Sequence, residues 1–162
     1  MSLSIRAARS DDAALVLGFV RELAAYEKLS HEVGATEAMI SEALFGTQQR
    51  VYCDIAEWNG EPVGFSLWFL NFSSFRGRHG IYLEDLFVRP AHRRHGVGKA
   101  LMVTLAKRCV EKGWARFEWS VLDWNAPSIA FYKLIGATMM DEWTICRASG
   151  EALQKLASES AA

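Results

Sequence analysis

The spacing of apolar residues changes along the chain, and its first part predicts one strand followed by two helices. Leu3–Ala8 is compatible with a strand. Ser10 is placed to cap the first helix, because two aspartates follow it in the first turn, where the helix dipole favours negative charge. The apolar residues of this helix recur at helical spacing at Leu15, Phe19, Leu23 and Tyr26. A second helix is predicted to begin at Thr36 and to end at Gly46.

The middle of the chain changes to period-two alternation, which predicts strands. Val51–Trp58 and Pro62–Leu70 flank Asn59-Gly60, a dipeptide that strongly favours a tight hairpin turn. A polar loop over Ser73–Gly80 then leads to a further strand, Ile81–Val88. This strand is apolar except for its two central carboxylates.

The last part of the chain predicts alternating helices and strands after Pro90, which ends the preceding strand. The predicted elements are a helix over Gly98–Lys112, a strand over Phe117–Leu122, a helix over Pro127–Ile135, a strand over Thr138–Arg147 and a short helix capped by Ser149. Antiparallel hairpins come first and a βαβ crossover comes later. This order predicts an α/β fold with a mixed, mostly antiparallel central sheet and helices on both faces. No repeat, low-complexity tract or linker divides the sequence, so residues 1–162 are predicted to form a single domain.

Composition narrows the possible partners and compartments. The chain has 162 residues, 51% of them hydrophobic, which excludes a disordered chain, and its formal net charge of −1 gives no overall attraction to nucleic acid or anionic lipid. No apolar run approaches the roughly 18 residues of a membrane span, and the N-terminus lacks the features of a secretory signal. Cys53, Cys109 and Cys146 are odd in number and far apart, which favours free, packed thiols in a reducing cytoplasm over a disulfide framework.

The segment from Val88 to Lys99 carries the clearest chemical signal. It joins a predicted strand to a helix N-terminus, where Gly96 and Gly98 allow close approach of a ligand to free N–H groups. Three cations add positive charge: Arg93, Arg94 and Lys99. These features favour a phosphate-binding loop, although the segment alone is also compatible with an ordinary solvated basic loop.

Single residues exclude two other phosphate-binding motifs for this loop. A Walker A loop needs a hydroxyl residue after its lysine to hold magnesium, and Ala100 stands there. A dinucleotide fingerprint needs a third glycine, and Leu101 stands there. His92 and His95 could share a metal ion only with further ligands, which no nearby motif supplies, so no metal is predicted.

Four segments together resemble a known family. Arg93-x-x-Gly96-x-Gly98 after an apolar strand resembles the acetyl-CoA signature of the GNAT superfamily of N-acetyltransferases, and Trp124–Lys133 resembles its second cofactor motif. Tyr82–Val88 and Glu22–Glu27 are similar to the diamine acetyltransferase group, which includes the spermidine/spermine and thialysine enzymes. The resemblance extends from about Ile5 to Ala137 and implies a single GNAT-type domain.

The resemblance implies where acetyl-CoA binds. The family pairs the backbone of one strand with the pantetheine arm and holds the pyrophosphate in the glycine loop, and two short polar residues contact the cofactor at the next helix. The matching residues are Leu86, Phe87 and Val88 in the strand, Arg93, Arg94, His95, Gly96, Val97, Gly98 and Lys99 in the loop, and Asn125 and Ser128 at the helix. Asn125 is also compatible with a plain helix cap.

The resemblance also implies the groups that move protons. A primary amine with a pKa near 10.4 is protonated at pH 7, and freeing its lone pair costs about 4.6 kcal/mol. Glu84 matches the family's base, acting through water, and Tyr132 matches the phenol that protonates the departing thiolate and borders the cofactor. Glu84 lies in an apolar strand, where a carboxylate is costly unless it is used or paired with an arginine. Tyr132 could instead be a buried aromatic, and Asp85 is expected on the opposite face in a structural role.

Tyr26 and Glu27 match residues that, with Glu84, line the amine site of the diamine group, although a solvent-facing helix end is the alternative. Lys28-Leu29-Ser30 is more similar to the thialysine branch. The resemblance therefore implies acetyl transfer from acetyl-CoA to a small primary amine, in a homodimer. Acetylation of a protein lysine or N-terminus, and acetyl-CoA sensing without turnover, remain alternatives.

Overall fold

The computed structural model describes residues 2–159 and contains one five-stranded sheet in the order β1-β2-β3-β4-β5. Neighbouring strands are antiparallel except β4 and β5, which are parallel. The strands are β1 (Leu3–Ala7), β2 (Val51–Trp58), β3 (Glu61–Ser73), β4 (Arg78–Val88) and β5 (Phe117–Trp119). The helices are α1 (Ala13–Tyr26), α2 (Glu37–Phe45), α3 (Val97–Glu111), α4 (Ala126–Leu134) and α5 (Gly150–Ser158).

Helices pack on both faces of the sheet because successive strand residues alternate between them. In β2, Ile55 belongs to a core beneath α1 and α2, in which Phe19 stacks on Phe65 with ring centroids 5.3 Å apart. The adjacent Ala56 lies on the other face, in a cluster with Leu101 of α3. The predicted mixed sheet with two covered faces is confirmed.

Several boundaries differ from the predictions. Ser10 does not cap α1; a short 3-10 helix precedes it, and the Asp12 carboxylate accepts the Arg9 N–H at 2.7 Å. Half of the polar segment predicted as a loop over Ser73–Gly80 is strand, and only a four-residue turn separates β3 from β4. Both strands are longer than their apolar patterns because edge residues with polar side chains still complete the backbone ladder.

The described residues form two compact units that divide between Leu122 and Asp123. The second unit contains α4 and α5. The strand predicted over Thr138–Arg147 is wrong: the segment has no regular secondary structure, because its backbone finds no strand to pair with among the described residues. Cys146 within it is exposed, whereas Cys53 and Cys109 are buried as predicted. No helix within residues 2–159 is long and apolar enough to cross a bilayer.

Candidate functional site

The open edge of β4 is the first component of the site. Within residues 2–159, β5 pairs with β4 only along Ile81–Leu83, so the carboxyl end of β4 extends beyond its parallel neighbour. The Val88 carbonyl in this end accepts a hydrogen bond from Arg93 Nε at 2.9 Å. Apart from that carbonyl, Leu86, Phe87 and Val88 lie on a stretch of β4 that pairs with β3 and that β5 does not reach, as pairing with an extended ligand would require.

The loop after β4 is shaped for an anion. Arg94 and Gly96 both have positive φ, 65° and 82°, and Gly96 is the N-cap of α3, with no side chain accepting the first N–H groups of the helix. Val97 is buried against the sheet and fixes the helix start. Arg94, His95 and Lys99 are exposed and make no ion pair within residues 2–159. Free N–H groups, the helix dipole and the charges of Arg94 and Lys99 together fit a pyrophosphate.

Arg93 connects this loop to the end of α1. Its guanidinium lies over the Tyr26 ring, 4.5 Å from the centroid, and 5.7 Å from the centroid of Phe87. The structure thus brings a residue predicted to bind cofactor into contact with one predicted to bind substrate. The sequence pattern did not indicate this contact, because the two residues lie in separate motifs.

A second arginine fixes the position of α1 on the sheet. Arg89 Nη2 donates to Glu22 Oε1 at 2.8 Å, and its Nε donates to the same carboxylate. The guanidinium also lies 4.9 Å from the centroid of the Phe19 ring. One turn later the helix ends at Tyr26, with Glu27 as its C-cap. The pKa of Glu27 is raised by burial, so this helix end is not simply solvated.

A β-bulge in β4 changes the faces of the sheet on which its neighbouring carboxylates, Glu84 and Asp85, lie. Trp68 pairs with Leu83 and the preceding Leu67 pairs with Asp85, so Glu84 has no residue opposite it. The extra residue places Asp85 on the α1 face with Leu67, whereas Leu83 shares the other face with Trp68. Glu84 is exposed and makes no ion pair within residues 2–159. Glu84 is therefore not enclosed by the apolar strand, and no arginine pairs with it among the described residues; its role as the base stays a prediction.

Asp85 is the carboxyl group with the unusual environment. Its pKa is raised to about 7, chiefly by burial and then by the negative charges of Glu84 and Glu27. The charges of Glu84 and Glu27 thus act on Asp85, and Glu27 directly follows Tyr26, an aromatic ring that already faces the Arg93 guanidinium. Such a cluster stabilises an ammonium group, and a carboxyl with a pKa near neutrality can exchange its proton. The sequence pattern did not indicate this environment for Asp85, because the bulge interrupts the alternation along β4.

The remaining predicted residues, Asn125, Ser128 and Tyr132, lie in the second unit. Asn125 is the N-cap of α4, where its side chain accepts the Ser128 N–H at 3.3 Å, as the capping alternative predicts. Asn125 and Tyr132 are both buried, with 4% and 7% of their surface exposed. Their roles toward a cofactor stay predictions. Among residues 2–159 no group of three or more His, Cys, Asp or Glu is arranged to hold a metal ion.

Comparison with known proteins identifies the family. The profile of the acetyltransferase (GNAT) family matches residues 19–137. A thialysine N-epsilon-acetyltransferase of Sus scrofa is 37% identical over 96% of this chain and 98% of its own length. An L-ornithine N5-acetyltransferase of Arabidopsis thaliana is 30% identical over 94% of this chain and 86% of its own.

Solved structures share the fold. An integron cassette protein from the mobile metagenome of V. cholerae superposes with a TM-score of 0.82 and 27% identity, covering 98% of this chain and 99% of that one. An aminoglycoside acetyltransferase from a soil metagenome shares the fold with a TM-score of 0.77 at 17% identity, covering 91% of this chain and 95% of that one. With the glycine loop, the open edge of β4 and these matches considered together, the chain belongs to the acetyltransferase (GNAT) family and is an N-acetyltransferase.

Proposed function

We propose that this enzyme transfers the acetyl group of acetyl-CoA to a primary amine of a small molecule that carries a second charged group, such as a diamine or a lysine analogue. The observation that carries the proposal is the group of carboxyls at Glu27, Glu84 and Asp85 beside Tyr26, close to the anion-binding loop through Arg93. Relatives named for acetylation of thialysine and ornithine support this substrate class.

Acetyl-CoA, when bound, supplies an acetyl group activated as a thioester. The N–H groups and cations around Gly96 and Lys99 would hold its pyrophosphate, and the backbone of Leu86–Val88 would hold its pantetheine arm. These contacts would hold the thioester near the amine, which would remove much of the entropic cost of bringing two molecules together.

The carboxyl cluster prepares the nucleophile. It attracts the substrate as an ammonium ion, and one carboxylate then takes the ammonium proton, directly or through water, so that the nitrogen lone pair is free. The lone pair attacks the thioester carbon, the new C–N bond forms and the C–S bond breaks. Tyr132 gives its phenolic proton to the departing thiolate, the proton that the attacking nitrogen loses on becoming an amide passes through water to the tyrosinate, and the carboxyl group releases its proton to solvent.

We further propose that the enzyme works as a homodimer in the cytoplasm. Two apolar side chains of the second unit, Trp143 and Ile145, are 76% and 71% exposed, as expected of residues that a partner covers. Free thiols suit a reducing compartment. Light scattering after size-exclusion chromatography should give twice the 18.1 kDa chain mass; a monomer at micromolar concentration contradicts the dimer.

The test of function is release of free thiol from acetyl-CoA, with thialysine, ornithine, lysine, spermidine and simple diamines offered separately. We expect turnover with a small amine that carries a second charged group. Thiol release only with a peptide substrate would favour the protein acetyltransferase alternative. CoA binding by calorimetry without turnover on any amine or peptide would favour an acetyl-CoA sensor.

The variant Tyr132→Phe separates chemistry from binding in the same assay. Because the substitution removes the phenolic proton and little else, kcat should fall about 100-fold while the dissociation constant of acetyl-CoA changes less than threefold. Unchanged kcat would remove Tyr132 from the mechanism.

A further inference from the structure

A cavity unrelated to the acetyl-transfer site lies at the other end of the sheet. It forms where β1 ends and β2 begins, beside the last turn of α3, and has a volume of about 430 Å³. This volume is within the range of small-molecule sites, roughly 300 to 1,000 Å³. The glycine loop lies at the first turn of α3, and the cavity lies beyond its last turn at Lys112, which is roughly 24 Å along the helix at 1.5 Å per residue.

Aromatic rings form much of the cavity wall. Tyr52 and Trp68 stack on each other with ring centroids 4.5 Å apart and an interplanar angle of 21°. Trp114 lies in the same lining after the end of α3. Trp68 is 5% exposed and carries Arg108 over its ring as well as Tyr52, so the half-buried rings of Tyr52 and Trp114 are the ones that a flat aromatic ligand would meet, where stacking adds to the burial of apolar surface.

The buried polar groups of the cavity are already satisfied by one another. Asp54 is 3% exposed and accepts two hydrogen bonds from Arg108, at 2.9 and 3.0 Å, and a third from Trp68 Nε1 at 2.8 Å. The guanidinium also lies over the Trp68 ring, 4.8 Å from its centroid. This network leaves no unpaired buried charge, so a ligand is not needed to complete it.

Lys112 gives the cavity a net positive charge. It lines the opening, is exposed and makes no ion pair within residues 2–159. The charged groups in the lining are therefore Asp54, Arg108 and Lys112, which sum to +1. An anion at the mouth of the cavity would find an ammonium partner, whereas a second cation would be repelled.

We propose that this cavity is a second binding site, separate from acetyl transfer, that takes a small aromatic carboxylate. The aromatic ring enters the cavity against Tyr52 and Trp114, and the carboxylate remains at the mouth, paired with Lys112. The proposal does not depend on which amine the enzyme acetylates.

The test uses 1-naphthoate as the probe and follows the indole N–H signals of the full-length protein in ¹H–¹⁵N correlation spectra. We expect saturable shifts at Trp68 and Trp114, with an affinity that saturating CoA leaves unchanged. Neutral 1-naphthamide should bind at least about tenfold more weakly. Absence of saturable shifts, competition with CoA, or equal binding of the amide would each overturn the proposal.

Two lysine variants of α3 and its end make the test specific. Lys112→Met should weaken 1-naphthoate binding about tenfold, which corresponds to loss of about 1.4 kcal/mol. Lys107→Met, which removes an exposed lysine outside the lining, should leave the affinity unchanged. Equal weakening by both variants would show that general surface charge, rather than this cavity, attracts the anion.

Discussion

Asp85 offers the sharpest test of the site, because its environment affects stability before any substrate is added. The variant Asp85→Asn keeps the shape of the protonated side chain and removes its ability to ionise. In the folded chain the carboxyl has a pKa of about 7, whereas in the unfolded chain an aspartate titrates near 3.9. The folded protein therefore holds this proton over a pH range in which the unfolded chain has released it.

The sign and size of the effect follow from proton linkage. Between about pH 4 and pH 7 the folded state binds more protons at this position, so wild-type stability falls as the pH rises through that window. The difference between the folded and unfolded pKa values corresponds to a loss of about 4 kcal/mol in the free energy of unfolding at pH 8. Residual hydration of the partly buried side chain reduces this loss to about 2 to 4 kcal/mol. Asp85→Asn should not lose stability in this way, because its side chain cannot ionise. It should match the wild type near pH 4 and exceed its free energy of unfolding by that amount at pH 8.

Urea denaturation followed by tryptophan fluorescence at several pH values measures this difference directly. Asp141→Asn, at an exposed carboxylate, is the matched control, and its free energy of unfolding should change with pH as that of the wild type does. A ¹³C titration of the Asp85 carboxyl carbon should show a midpoint near 7, and a saturating diamine should lower it, because an ammonium ion favours the carboxylate. A midpoint near 4, or a difference between Asp85→Asn and wild type that does not change with pH, would refute the interpretation.

Three further predictions concern the packing of the sheet and the chemistry of its edge. Arg108→Met should lower the free energy of unfolding by about 3 kcal/mol at pH 7, because it strips the buried Asp54 of its charge partner; a loss below about 0.5 kcal/mol in urea melts would contradict this. Gly64→Ala would place a Cβ 2.6 Å from a carbonyl oxygen of β4 and should lower the free energy of unfolding by about 1–3 kcal/mol. In Gly18→Ala the new Cβ has no atom within 4 Å, so this variant should stabilise α1 by up to about 1 kcal/mol. Thermal melts in which Gly64→Ala is more stable than Gly18→Ala would contradict both. Glu84→Gln should lose kcat/KM mainly near neutral pH and recover as the amine loses its own proton; equal loss at every pH in a pH–rate profile would indicate a carboxylate that acts only on structure.

The sequence alone determined the features that depend on neighbouring residues. Asn59-Gly60 predicted a tight hairpin, and both residues have positive φ, 51° and 84°, as such a turn requires. Thr36 caps α2 through its side chain, which accepts the Met39 N–H. The anion loop followed from a strand, a proline and two glycines in order. Each of these signals arises from backbone conformation or from contacts a few residues apart, so a single chain segment contains the whole cause.

Tertiary structure decided the features that depend on partners distant in the chain. The bulge that exposes Glu84 and turns Asp85 toward α1 exists only in the register between β3 and β4, because one extra residue reverses the alternation that a sequence pattern assumes. The contact between Arg93 and Tyr26 likewise needs two motifs to meet across the fold. Thr138–Arg147 has a strand-like pattern but no strand, since a strand is stabilised by hydrogen bonds from a neighbouring chain segment and not by its own residues.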